Sequence, residues 1–352
     1  MILLNKFYCS LLGMVIIFLI GACSTIETIS LKKHHRPDGY ANNTPQDSPG
    51  IADMLEFAWD KMSSDSKAIE YPIAQNDPLF LQQNTSEPTI TWIGHATFLI
   101  QIGGVNILTD PHFSERASPV SWAGPKRYTP PGLSIEELPF IDFVIISHNH
   151  YDHLDLTTIR QLQAKQSQNP PFFFVPLGLK SWFKDIAIDN VKELDWWDQD
   201  TFKNFTFHSV PLRHYSSRTP WDRNETLWTS WVIEYDQRTI FFVGDTGYSK
   251  DFKDIGKRFG PIDLSLLPIG AYEPRHFMKS IHVNPEEAVM IHQDVQSRYS
   301  IGMHWGTFML TTEDMDEPPR HLQKALQQAN VSESEFFLMK HGETRMLDLL
   351  LN

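Results

Sequence analysis

Asp142-Phe143-Val144-Ile145-Ile146-Ser147-His148-Asn149-His150-Tyr151-Asp152-His153-Leu154-Asp155 is the stretch on which the reading of this chain turns. The first half is an apolar run bounded by polar residues, which predicts a buried strand. The second half packs three imidazoles and a carboxylate into six residues. Side chains alternate along an extended segment, so His148 and His150 point the same way and can share one ion. Asp152 and His153 follow where the chain must turn, and can reach a second ion on the other side. A plain polar turn gains nothing from three adjacent imidazoles, whereas a divalent metal needs such donors.

Histidine and aspartate recur at the ends of later apolar runs, where such a site needs them. His214 follows Ser209 to Arg213, Asp245 lies in Gly244-Asp245-Thr246-Gly247 after Ile240 to Val243, and His304 follows Ser300 to Met303. Each alone reads as a hydrogen-bonded strand end or an Asx turn. Beside the central cluster they complete two donor sets: His148, His150 and His214 for one ion, Asp152, His153 and His304 for the other, with Asp245 bridging. Cations held this way lie about 3.5–4 Å apart and share a water. Asp110, at the end of Val105 to Thr109, is placed to orient a ligand imidazole from behind, while His95 in Gly94-His95-Ala96-Thr97 reads as structural.

Composition bounds the rest. The chain has 352 residues with 43 acidic against 30 basic side chains, a net charge of −13, and two cysteines, Cys9 and Cys23. That balance argues against nucleic acid as a general partner. Lys6, the apolar run Leu11 to Ile20 and Gly21-Ala22-Cys23 read as a secretory signal, too short to span comfortably. Ile20-Gly21-Ala22-Cys23 resembles a lipobox, which implies cleavage before Cys23 and a lipid on it. The expected organisation is a signal over 1–22, a tether over 23–50, an extension with a short helix over 51–85 and a hydrolase domain over 86–352. Ser24 looks like outer-membrane sorting, facing the periplasm of a diderm bacterium. Removal of the signal leaves no cysteine pair, and no thiolate joins the metal donors. An acidic surface is repelled by an anionic bilayer, so membrane proximity must come from the anchor or from a local patch. Arg116, Lys126 and Arg127, with Trp122 and Tyr128 interleaved, are the candidate patch, a lip for head groups and phosphate. A homodimer is one compatible assembly.

Ile51, Leu55, Ala58 and Met62 recur at helical spacing, predicting an amphipathic helix that packs on the domain through that face. Strands are expected at 90–93, 98–102, 105–108, 143–146, 172–176, 192–194, 205–210, 231–235, 239–243, 264–268 and 299–303, with helices at 157–165, 179–186 and 285–293. Gly103-Gly104 marks a hairpin. The irregular stretch from Asp110 through Pro139 is long enough to suggest function. Hairpins followed by strand-helix units, twice over, predict an α/β fold of two facing sheets with helices outside and loops along one edge.

The cluster His148, His150, Asp152 and His153 resembles the His-x-His-x-Asp-His signature of the metallo-β-lactamase superfamily. Further segments, among them Leu108 to Pro111, Ser114 to Pro119, Gly124 to Tyr128, Gly244 to Tyr248, His282 to Ala288 and Met303 to Phe308, look like its N-acyl-phosphatidylethanolamine-hydrolysing phospholipase D branch. The resemblance covers roughly Thr89 to the C-terminus. It implies an αββα sandwich of two facing mixed sheets, a dizinc centre on the seven donors above, and hydroxide attack on the phosphorus of a glycerophospholipid. It also places His282 beside the reacting phosphate; in that chemistry Asp152 would orient the nucleophile and Asp245 hold both ions, while Arg116, Lys126, Arg127 and Tyr128 of the basic lip would meet substrate. Read without the resemblance, His282 is equally a helix-flanking residue before the N-cap Asn284. Iron and manganese suit the same donors. Two other functions fit the sequence: a metal-dependent lactone or phosphosugar hydrolase, and a surface lipoprotein that binds metal or lipid without turnover.

Overall fold

Residues 32–45 and 50–347 are described by a computed structural model; the signal segment, Cys23 and Ser24 lie outside the described residues. The chain divides into two units, Met1–His35, of which only residues 32–35 are described, and Arg36–Asn352. The larger unit opens with α1 (Ile51–Ser63) and α2 (Pro78–Gln83), followed by β1 (Thr89–Gly94), β2 (Thr97–Ile102), β3 (Val105–Thr109) and β4 (Phe143–Ile145). Then come α3 (Leu156–Lys165), β5 (Phe172–Pro176), α4 (Leu179–Asp185) and β6 (Val191–Leu194). The second half runs β7 (Gln199–Phe202), β8 (Phe205–Val210), β9 (Ser230–Tyr235), β10 (Arg238–Phe242), α5 (Asp251–Phe259), β11 (Leu264–Pro268), α6 (Arg275–Met278), α7 (Pro285–Asp294), β12 (Tyr299–Met303), α8 (Glu317–Ala329), β13 (Phe336–Phe337) and β14 (Thr344–Met346).

Two seven-stranded sheets result, in the orders β14-β1-β2-β3-β4-β5-β6 and β13-β12-β11-β10-β9-β8-β7. Each is antiparallel through its hairpins and parallel where longer connections join its strands, helical ones except for the irregular stretch between β3 and β4. The β2–β3 turn uses Gly103 and Gly104 at φ of +60° and +71°, the left-handed pair a two-residue hairpin loop requires. Period-two alternation then decides which residues meet. Phe143 and Ile145 of β4 and Phe174 of β5 face the other sheet, where Phe207 stacks on Phe174 at 4.2 Å and lies 5.1 Å from Phe143. Val144, Phe173 and Val175 face outward onto Ile159 and Leu162 of α3 and Leu179 and Phe183 of α4. Strands buried on both faces read as unbroken apolar runs, as these do.

The fold matches the expected αββα sandwich. Elements that the sequence reading left unassigned are α2, α5, α6, α8 and the edge strands β7, β13 and β14. On α8 only Pro318, Leu322, Ala325 and Leu326 are buried, a narrow stripe in a polar helix. Helix α1 forms where expected but turns the other way. Leu55 and Met62 are 67% and 74% exposed, while Phe57 stacks on Phe277 at 4.7 Å and Lys61 Nζ donates to the Leu310 carbonyl. One aromatic contact and one charged hydrogen bond therefore set its docking face, and not its aliphatic stripe. Part of the stretch read as tether is also docked: Asn42 exchanges two hydrogen bonds with the His214 backbone, and Asn43 donates to Asp251. No helix among the described residues is long and apolar enough to cross a membrane.

Candidate metal centre

Every donor predicted from sequence arrives at one edge of the sandwich. β4 ends at Ile145 and delivers Ser147 to Asp155 as a loop, held by Thr229 N–H to the Ser147 carbonyl and by Trp231 Nε1–H to the Ile146 carbonyl. Arg218 clamps the same loop from outside, with Nη1 donating to the Asn149 and Leu154 carbonyls and its guanidinium over the Tyr151 ring. Asp245 follows β10 through Gly244, whose φ is +72°; a Cβ there would lie 2.6 Å from Ser147 Cβ. That close approach brings the two loops together. His304 follows β12 directly, and His214 sits four residues beyond β8, where Arg213 pairs with Gly247.

The inner atoms form two neighbouring groups. In the first, His150 Nδ1 is 2.8 Å from His148 Nε2 and 3.3 Å from His214 Nε2. In the second, His153 Nε2 and His304 Nε2 are 3.3 Å apart, and each is 3.3 Å from Asp152 Oδ2. Asp245 Oδ2 is 3.1 Å from His153 Nε2, and its Oδ1 is 3.0 Å from His304 Nε2 without hydrogen-bond alignment. Asp245 also groups with His214 and His282 within metal-binding reach, so it lies between the two sets.

Hydrogen bonds behind the rings determine which nitrogens face inward. Asp110 is fully buried and accepts from Ser147 N–H at 2.7 Å, Ser147 Oγ–H at 2.5 Å and His153 Nδ1–H at 2.6 Å. Ser147 uses its one O–H to donate to Asp110, so its oxygen accepts from His148 Nδ1–H at 2.9 Å. His214 Nδ1–H donates to the Ile281 carbonyl at 2.9 Å. His148 and His214 are thus held as tautomers whose inner Nε2 is a lone pair, and the inner Nε2 of His153 is left to hold either its second proton or a cation. Lone pairs crowded this closely repel unless a proton or a cation lies among them, and the donor set fits a divalent cation.

The electrostatics agree. Burial, with the neighbouring imidazoles, pushes His148 and His214 well below the usual range, and burial brings His150 down to about 4; these rings are neutral donors at pH 7. In the second set burial opposes charge on His304, yet Asp245 and Asp152 outweigh it and push the ring up to about 9. Burial likewise disfavours the charged His153, and its three carboxylate neighbours overcome that. Burial would raise Asp152 and Asp245, but His153 and His304 hold both well below the ordinary carboxylate range. Protons therefore take the place of cationic charge between these carboxylates, and metal binding must displace them.

Residues 105–305 match the Beta-lactamase superfamily domain. The chain is also 43% identical over 315 residues, 84% of its own length and 87% of the relative's, to N-acyl-phosphatidylethanolamine-hydrolyzing phospholipase D 1 of Caenorhabditis elegans. This chain belongs to the metallo-β-lactamase superfamily, in its N-acyl-phosphatidylethanolamine phospholipase D branch. The uncharacterized protein Rv0906 of Mycobacterium tuberculosis is 41% identical over 88% of this chain and 84% of its own. Among solved structures, a possible metal-dependent hydrolase from Veillonella parvula superimposes with a TM-score of 0.57 at 20% identity, covering 74% of this chain and all of that one. Isothiocyanate hydrolase from Delia radicum gut bacteria gives 0.56 at 20% identity over 73% and 98%. Those two share the superfamily fold.

Within this branch member the residues expected to meet substrate divide. Arg127 is a correction: it is buried, donating Nε–H to the Ser114 carbonyl and Nη2–H to the His112 carbonyl and ring, with its guanidinium over Phe308. It pins a loop and offers no charge to a surface lip. Arg116 is spent on the Ser121 and Gly124 carbonyls of its own loop, Lys126 lies 3.6 Å from Glu115, and Tyr128 is part exposed. His282 does reach the centre, with Nε2 3.9 Å from Asp245 Oδ2; burial lowers it to about 4, so the ring is neutral. Sequence reasoning missed Tyr215, whose ring lies 4.5 Å from that of His150, and Arg223, which covers it at 4.1 Å. Tyr215 was signalled only by adjacency to His214, and nothing in the sequence marked Arg223. It also took His95 as structural, yet His95 Nε2 is 2.9 Å from Asp152 Oδ2.

Proposed function

We propose that this chain is a two-cation phosphodiesterase of phospholipase D type, acting on N-acyl-phosphatidylethanolamine or a related glycerophospholipid. The observation that carries the reading is the convergence of His148, His150 and His214 beside Asp152, His153 and His304, with Asp245 between. The named activity of the nematode relative supplies the substrate class. Zinc suits the nitrogen and oxygen donors, as do iron and manganese. Two bound divalent cations supply a water acidified towards a pKa of about 7 and positive charge for a phosphoryl oxygen.

The chain's own residues do the rest. Asp152, 13% exposed at the mouth of the second set, accepts a hydrogen bond that orients the attacking water. Asp245 joins the two sets, so that one rigid carboxylate would hold both cations. His282 carries no spare proton at neutral pH and its Nδ1 has no partner. It therefore serves to bind and not as the acid, and the departing alkoxide takes its proton from water. Hydrolysis breaks the phosphorus–oxygen bond on the head-group side. A lipidated Cys23 on the periplasmic face of the outer membrane belongs to the same proposal, because it holds the site beside the bilayer; palmitate labelling lost in Cys23→Ala tests it.

The deciding assay incubates the zinc-loaded protein with vesicles of N-acyl-phosphatidylethanolamine, and separately with lactones and phosphosugars, and identifies products by mass spectrometry. Phosphatidic acid and N-acylethanolamine are expected, falling at least 100-fold in Asp245→Ala. Hydrolysis confined to lactones or phosphosugars overturns the reading in favour of a different hydrolase. Zinc retained without turnover of any substrate favours a binding protein.

A further inference from the structure

We propose that His95 is a positioning residue that fixes Asp152 as a metal donor, and that it thereby secures the second cation; the inference rests on the two-cation reading above. His95 sits in the turn between β1 and β2, 57 residues from its partner, buried to 1% exposure. Its Nε2 is 2.9 Å from Asp152 Oδ2, the same oxygen that lies 3.3 Å from both His153 Nε2 and His304 Nε2. An Nε2–H donated there occupies one lone pair of Oδ2 and stops the carboxylate from rotating. That leaves the other lone pair of Oδ2, the oxygen shared with His153 and His304, for the cation.

The backbone of His95 is built to hold that pose. Its φ is +55°, a left-handed conformation that a non-glycine residue adopts only when its surroundings impose it. Three bonds impose it: its N–H donates to Thr307 Oγ1 at 2.9 Å, and its carbonyl accepts from Trp92 Nε1–H at 3.0 Å and from His304 N–H at 3.0 Å. His95 thus grips two donors of the second set at once, Asp152 through the ring and His304 through the main chain. The ring is wedged 3.9 Å from that of His304, with Phe308 edge-on at 5.1 Å. His208 meets a carboxylate too, that of Glu234, which belongs to neither donor set; His95 spends its N–H on the carboxylate that would hold the second cation.

The test is zinc stoichiometry and affinity, by elemental analysis and competitive titration with a chromophoric chelator, on wild type, His95→Ala, His95→Gln, Asp152→Ala and the double variant His95→Ala/Asp152→Ala. Wild type is expected to take two equivalents. His95→Ala should weaken one equivalent by about 10–100-fold and leave the other in place. His95→Gln, whose amide N–H reaches from near the Nε2 position but which lacks an imidazole, should recover most of the loss. In the Asp152→Ala background, removal of His95 should change nothing further. Wild type binding one equivalent or none overturns the two-cation reading itself. Two equivalents in wild type with unchanged affinity in His95→Ala overturns the role of His95 alone. A His95→Gln protein as weak as His95→Ala also overturns it, since the ring would then act as a ligand. Thermal unfolding in EDTA checks the fold, because the main-chain bonds of residue 95 do not need its ring.

Discussion

Asp110 accepts three hydrogen bonds in a position closed to solvent, and the consequence reaches an imidazole in each donor set: His153 directly, and His148 through Ser147. Burial pushes its carboxyl up, while His153 and Ser147 favour the ionised form. Asp110→Asn must put its N–H₂ group either at Oδ2, where it meets both relays, or at Oδ1, where it meets Ser147 N–H, and in either orientation it removes the charge that holds His153 Nδ1–H. Zinc affinity is expected to fall by about 10–100-fold, read by chelator competition; wild-type affinity would show that the tautomers are set elsewhere. Arg127 allows a different prediction. Arg127→Ala leaves the buried Ser114 and His112 acceptors without their donor, and should cost about 2–3 kcal/mol in urea unfolding at constant m. The charge island of Arg116, Lys126 and Arg127 is legible in the sequence. Nothing local says that its third member turns inward, because the partners that draw it in are carbonyls, which no side chain announces.

Among the elements, the strands were readable because burial on both faces leaves long apolar runs with little ambiguity. α1 shows where that logic stops: helical spacing predicts a helix, but the face that docks is chosen by whatever lies opposite, here Phe277 and the Leu310 carbonyl. The loops that end β4 and β10 approach so closely that Gly244 has no room for a Cβ. Gly244→Ala should push Ser147 away, break its relay from Asp110 to His148 and reduce zinc content, with a strain cost of about 1–2 kcal/mol. Elemental analysis and an unfolding curve check both effects, and a silent variant would mean that the two loops are not held by this contact.

For the whole molecule, buried neutral histidines make acid the natural denaturant. Burial lowers His112 to about 4 and His341 to about 3, while in the unfolded chain each titrates near 6.5. Between these values the unfolded chain binds more protons, so the stability contribution is complete above about pH 6.5 and is lost as pH falls towards 4 and 3. At pH 5 each ring should cost about 2 kcal/mol. Urea unfolding in EDTA at pH 7.5 and 5.0 measures the decline. In His341→Gln that decline should shrink by about 2 kcal/mol, and an unchanged one would assign the acid sensitivity to other groups.

The sequence by itself determined the two-sheet architecture and singled out the seven side chains that converge at one edge, because alternation in buried strands and polar residues at strand ends are local patterns. The tertiary structure alone decided which ring nitrogens face inward, that Arg127 is buried, that Asn42 steadies His214 and that His95 reaches Asp152. Each of these depends on a partner far away in the chain, and the distance between such residues is set by how two sheets and their loops pack, which no local periodicity encodes.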